Sequence, residues 1–301
     1  RDTRTCLVGS EMCIRDRRTA AELRWLLRDS TIQTAHHGDD HRVQDPYSLR
    51  CVPQVHGAAR DALDQLRRVL DIELNSATDN PLVFPEGGVV PEDVLATGRG
   101  LVISGGNFHG EPVALALDYA KLAIAEIGAI SERRVALLLD PRLNDGLPAF
   151  LGASSGLDSG LMILQYTAAA LASESKTLAH PASADSIPTS ANQEDHVSMG
   201  SVAARNAMTV LEHTERIVGI ELICAAQGLD LRLDLQADTA PGVGVAAAHE
   251  RIRTVIDRLE QDREPGPDLE AAYRLVHDGR LVDLAAAPVT VGTSWLGPDP
   301  R

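Results

Sequence analysis

The sequence predicts a mainly α protein built as a bundle of long helices, and three observations carry that expectation. Residues 112–139, 160–180 and 196–230 each keep apolar side chains at helical spacing among good helix formers, with only Gly128 weakening the first run. The second run is apolar on nearly every side from Leu164 to Leu171, and a helix without a polar face has to be buried. Alternating strand patterns are nearly absent. At about 1.5 Å per residue the third run spans roughly 50 Å, more than one small domain covers, so subunits are expected to pack along it.

Taken in order, residues 1–18 carry Cys6 and Cys13 without any apolar period and read as a non-native or disordered leader that packs on nothing. A short helix is expected over Thr19 to Leu27. His36, His37 and His41 follow in a polar link, where three histidines read as a solvated loop and not as a metal site. A helix from Pro53 to Leu74 comes next, and Asn75 to Pro81 is turn chemistry because Asp and Asn before proline disfavour helix. Pro85 to Gly100 reads as a surface loop, and Pro141 to Gly156 as another. Beyond a linker at Ala240 to Gly244, amphipathic helices are expected at 245–261 and 268–277, with a frayed tail over 289–301. Residues 19–288 thus form one helical portion.

Charge and composition narrow the function. The 43 acids against 28 bases give a net charge of -15, which argues against a phosphate-tracking surface and so against nucleic acid. No run of about 18 apolar residues exists to span a bilayer. Four cysteines without paired spacing indicate a reducing compartment, and the cytoplasm is the expected location.

Polar chemistry concentrates at a few places. Ser190 to Ser198 reads S-A-N-Q-E-D-H-V-S and sets Gln193 and Glu194 beside Asp195 and His196 where a loop enters a helix. Ser190 or Asn192 is a candidate N-cap there, and the acids suit the positive end of the helix dipole. Gln44, Tyr47 and Arg50 are spaced by three, so a helical segment puts an amide, a phenol and a guanidinium on one face. Arginine grips a carboxylate by a bidentate pair, and a buried tyrosine beside a cation is a candidate base, which together suit an amino-acid substrate. The glycines of Gly105 to Gly110, around Phe108 and His109, read as a turn or, alternatively, as a place where backbone approaches a ligand.

These blocks, together with Asp79-Asn80-Pro81-Leu82 and the run Ile124 to Arg134, resemble the histidine ammonia-lyase family in order and separation from about Val43 to Leu284. The resemblance implies the long-helix bundle shared with fumarases and aspartases, a homotetramer with composite active sites, and non-oxidative elimination of ammonia from L-histidine to give urocanate. It implies no external cofactor, because the family cyclises an Ala-Ser-Gly tripeptide into an electrophilic methylidene-imidazolone. Tyr47 then matches the essential active-site tyrosine and Arg50 the carboxylate-binding arginine. Gln44, Asn80 and Gln193 match polar pocket positions, Phe108 the aromatic beside the electrophile, and Met162 a residue of the substrate-ring pocket. Glu194 stands where relatives acting on phenylalanine or tyrosine carry an amide, which favours histidine.

The departure from the pattern is the tripeptide. Ala153-Ser154-Ser155-Gly156 is the nearest match, with one serine too many and on the wrong side of the Phe108 block. The chain is therefore expected to be a C-terminal portion without activity of its own. Another aromatic ammonia-lyase or aminomutase, or a non-catalytic helical assembly subunit, is the alternative. A fumarase-type lyase should carry a Gly-Ser-rich catalytic loop, which is not found.

Overall fold

The computed structural model describes residues 16–35, 44–85, 101–153 and 156–285. Helices dominate them: α1 (Arg17–Leu26), α2 (Thr31–Ala35), α3 (Tyr47–Arg50), α4 (Val52–Glu73), α5 (Glu111–Leu139), α6 (Met162–Leu178), α7 (Gly200–Leu235), α8 (Val243–Arg253) and α9 (Gly266–His277). The expected mainly α class is what the chain adopts. Two short strands, β1 (Leu82–Phe84) and β2 (Leu101–Ile103), pair antiparallel with Leu82 opposite Ile103. They flank the expected 85–100 loop, of which residues 86–100 lie outside the described residues.

The chain divides into two compact units. The first takes the described residues of Arg1–Asp61, Ala123–Leu178 and Thr209–Arg301, and the second those of Ala62–Leu122 and Ala179–Met208. The core of the first unit joins the C-terminal part of α5 to α6, α7, α8 and α9 through Val135, Leu139, Leu164, Ile217, Ile220, Cys224, Ile252 and Leu275. Two glycines set helix spacing there. A side chain on Gly128 would meet the Thr214 hydroxyl at 3.0 Å, and one on Gly219 would meet the Ala272–Tyr273 backbone at 3.2 Å. The glycine that interrupts the α5 pattern is thus a packing residue, facing a threonine whose hydroxyl donates to Ile124 O at 3.1 Å.

In the second unit the N-terminal part of α5 carries a buried ion pair. Lys121 Nζ donates to Asp118 Oδ1 at 2.7 Å and to the His180 carbonyl at 3.0 Å, while Asp118 Oδ2 accepts from the Ser183 N–H at 2.7 Å. Burial opposes ionisation of Asp118, yet the hydrogen bonds from Lys121 and Ser183 outweigh it and hold the carboxyl below its ordinary range. The pair fixes the chain just after α6 to α5.

Several sequence expectations are corrected. Helix α1 begins at Arg17 and Asp16 ahead of it is buried, so the leader set aside as 1–18 runs too far; residues 1–15 lie outside the described residues. Helix α8 stops at Arg253 instead of 261, because the Gln227 amide of α7 takes both backbone groups of Leu259, accepting from its N–H at 2.9 Å and donating to its carbonyl at 2.9 Å. Helix α6 is not buried on all sides within one chain, since Ile163 and Tyr166 are exposed while Leu164 and Ala168 enter the core. The histidine cluster at 36–41, Ser154 and Ser155, and the tail from 286 lie outside the described residues.

Candidate active site

The first unit carries the Gln44, Tyr47 and Arg50 group. Pro46, held extended at φ -61° and ψ 153°, opens α3, and its carbonyl accepts from the N–H groups of Leu49 and Arg50 at 3.0 Å. Helix α3 is a single turn, so Gln44 lies outside it. The group forms nonetheless, because the Arg50 guanidinium donates to Gln44 Oε1 and its carbon lies 4.9 Å from the Tyr47 ring centroid. A cation already held on two sides would meet an anionic ligand with less ordering cost. Tyr47 is 69% exposed, so the burial on which its use as a base was argued is not met by the single chain.

The turn rests on a charged brace. Arg134 of α5 reaches the Ser48 carbonyl at 3.4 Å and forks onto Glu221 of α7, with Nη2 to Oε2 at 2.8 Å. Ser131 donates to the same carboxylate at 2.6 Å. The Ile124 to Arg134 block therefore supports the site. Behind the brace, burial and the cations Arg134 and Arg60 push the His56 pKa down, against a smaller opposing pull from Glu221. A groove of about 750 Å³ opens beside α3, lined by Pro46, Tyr47, Ser48, Arg133, Phe150 and Gln165 among others. Met162, half-buried at the start of α6, is one turn from Gln165.

The second unit holds Asn80, Phe108, Gln193 and Glu194. Asn80 Oδ1 accepts from Ser104 Oγ at 3.0 Å and from the Gly105 N–H at 3.1 Å, which ties the turn before β1 to the glycine run after β2. Phe108, 54% exposed, tops that run, and Asn107 anchors it by donating to Ala77 O at 3.3 Å. His109 faces the 186–197 loop, its Nε2 lying 2.9 Å from the His196 carbonyl. A carbonyl only accepts, so Nε2 carries the proton. The two imidazoles stack with centroids 5.5 Å apart.

That loop departs from the expected helix start. Helix α7 begins at Gly200, and Ser190, Ala191 and Asn192 instead adopt positive φ of 48°, 54° and 70° at the tip of a hairpin-like excursion, so neither Ser190 nor Asn192 is an N-cap. Thr189 and Glu194 pair directly across it, with N–H to carbonyl distances of 3.0 and 3.3 Å. Ser186 Oγ closes the base by accepting from the Val197 N–H at 2.9 Å. Glu194 and Gln193 are exposed near the tip. The Thr189 hydroxyl donates to Glu194 Oε2 at 2.5 Å. Sequence reasoning missed Thr189, whose role appears only once the loop is known to pair positions 189 and 194, and it passed over His109 as part of a turn.

Comparison with known proteins identifies the family. The family model described as aromatic amino acid lyase matches residues 14–254. Histidine ammonia-lyase of Natranaerobius thermophilus is 50% identical over 88% of this chain and 49% of its own length. Among solved structures, the histidine ammonia-lyase of Trypanosoma cruzi superposes with a TM-score of 0.76 at 43% identity, over 90% of this chain and 47% of that one. Tyrosine aminomutase of Streptomyces globisporus superposes with a TM-score of 0.77 at 35% identity, over 90% of this chain and 52% of that one. The chain spans about half the length of the curated relatives it matches. Fold, motif order and relatives agree: the chain belongs to the aromatic amino acid lyase family.

Proposed function

We propose that this chain acts in a histidine ammonia-lyase, a carbon–nitrogen lyase that eliminates ammonia from L-histidine to leave urocanate. The observation that carries the reading is Glu194, a carboxylate presented at the tip of a braced loop in a chain 50% identical to a curated histidine ammonia-lyase. A carboxylate accepts a hydrogen bond from an imidazole N–H and favours its charged form, whereas a phenyl ring offers it nothing.

In this account Arg50 clamps the substrate α-carboxylate with Gln44 holding the guanidinium in place, and Glu194 orients the imidazole at the other end. The β-carbon is then fixed where Tyr47 takes its proton. Asn80 and Gln193 supply polar contacts, and Met162 lines the ring pocket. These side chains act on one substrate in a homotetramer, whether one chain or neighbouring copies contribute them. No Ala-Ser-Gly tripeptide stands within the 301 residues, so in this account the methylidene-imidazolone is contributed from outside them. Phe108, exposed on an anchored turn, offers a flat aromatic face that fits such a ring. Such an electrophile would supply an electron-poor centre that makes the substrate amine a better leaving group. Sparse cysteines without paired spacing support a cytoplasmic location. No described helix is long and apolar enough to cross a membrane.

The test is Glu194→Gln in the assembled enzyme, which keeps size and removes charge. Turnover of histidine should fall on the order of a hundredfold, the scale of a positioned acid–base group. Activity within a few-fold of the parent would remove Glu194 from this role. The likeness to tyrosine aminomutase supports a second reading, in which a related aromatic amino acid is isomerised. Formation of a β-amino acid would identify it.

A further inference from the structure

We propose that Thr189 is the positioning residue of the substrate-reading carboxylate. The inference rests on the functional reading above, because it assigns Glu194 a partner for the same task. Thr189 and Glu194 are directly opposed in a pair that exchanges both backbone hydrogen bonds, which sends their side chains to one face of the loop. The Thr189 hydroxyl uses that proximity to donate to Glu194 Oε2 at 2.5 Å.

Two consequences follow from the geometry. A glutamate near an exposed tip otherwise samples several rotamers, and ordering it costs free energy at each substrate encounter. The hydroxyl settles that orientation beforehand. It also divides the two carboxylate oxygens, committing Oε2 to the protein and directing Oε1 to the imidazole N–H. The tip is held while this happens: Ser190, Ala191 and Asn192 keep positive φ without any glycine, and the Ser186–Val197 hydrogen bond and the His109–His196 contact tie the loop closer to its base. Thr189 touches no substrate atom in this account and acts through Glu194.

The test compares Thr189→Val, which keeps the shape and deletes the donor, with Thr189→Ser, which keeps the donor, in the full-length assembled enzyme. Thr189→Val should lower kcat/KM for histidine about tenfold or more, the scale of a hydrogen bond to a charged group, and Thr189→Ser should stay within about threefold of the parent. In a Glu194→Gln background Thr189→Val should add little, since the two act as a unit. A full additional loss there, or equal losses in the Val and Ser variants, would overturn the proposal. A crystal structure of Thr189→Val tests it without any assay: Glu194 should leave its present rotamer, and an unmoved, equally ordered carboxylate would contradict the inference. If the parent does not turn over histidine, the functional reading fails while the crystallographic result still judges the positioning role.

Discussion

At the scale of the residue, the chain divides its charges between those that await a ligand and those that hold the frame. Arg50, steadied by Gln44 and the Tyr47 ring, is proposed to be of the first kind. Arg50→Ala should chiefly raise KM for the amino acid in steady-state assays, with a smaller loss in kcat from mispositioning. Lys121 is of the second kind. Lys121→Met leaves Asp118 buried without its cation and should cost about 3–5 kcal/mol, read as a lower midpoint in urea denaturation. His56 predicts a pH effect. Its folded pKa lies below the ordinary value, so the unfolded chain binds the extra proton first, and stability should fall as the pH drops from about 7 through the ordinary histidine range near 6.5. His56→Gln should flatten that part of the denaturation profile. The i+3 spacing made the Gln44, Tyr47 and Arg50 group legible beforehand even though Gln44 lies off the helix. Thr189 was not legible, because nothing local signals three consecutive non-glycine residues at positive φ.

At the scale of the element, long uninterrupted periods were read well and their ends poorly. Helix α5 falls within one residue of its expected N-terminus, whereas α7 starts four residues late and α8 ends eight early. The causes are tertiary: His109 takes the His196 carbonyl and Ser186 the Val197 N–H ahead of α7, and Gln227 captures the backbone after α8. Composition also hid why glycine sits inside a helix. Gly219→Ala should improve helix propensity by up to about 1 kcal/mol, yet the added methyl meets the α9 backbone at 3.2 Å. Overpacking costs about 1–3 kcal/mol, so a net lower Tm is expected by calorimetry. An unchanged or higher Tm would mean that α9 yields without cost.

At the scale of the whole molecule, the account requires copies to cover what one chain leaves open. Leu115, Tyr119 and Leu122 are exposed along α5, as are Ile163 and Tyr166 on α6, and apolar side chains at helical spacing on such scaffolds suit a partner helix. The proposed homotetramer should appear in sedimentation of the full-length enzyme; a stable monomer would exclude it. The central claim is the substrate. The most direct measurement presents the assembled enzyme, electrophile included, with L-histidine, L-phenylalanine and L-tyrosine in parallel and follows the absorbance of each product. The account predicts urocanate from histidine, with kcat/KM at least about a hundredfold above either aromatic substrate, roughly the worth of one charged hydrogen bond made or left unpaired. An enzyme that prefers phenylalanine or tyrosine would contradict it.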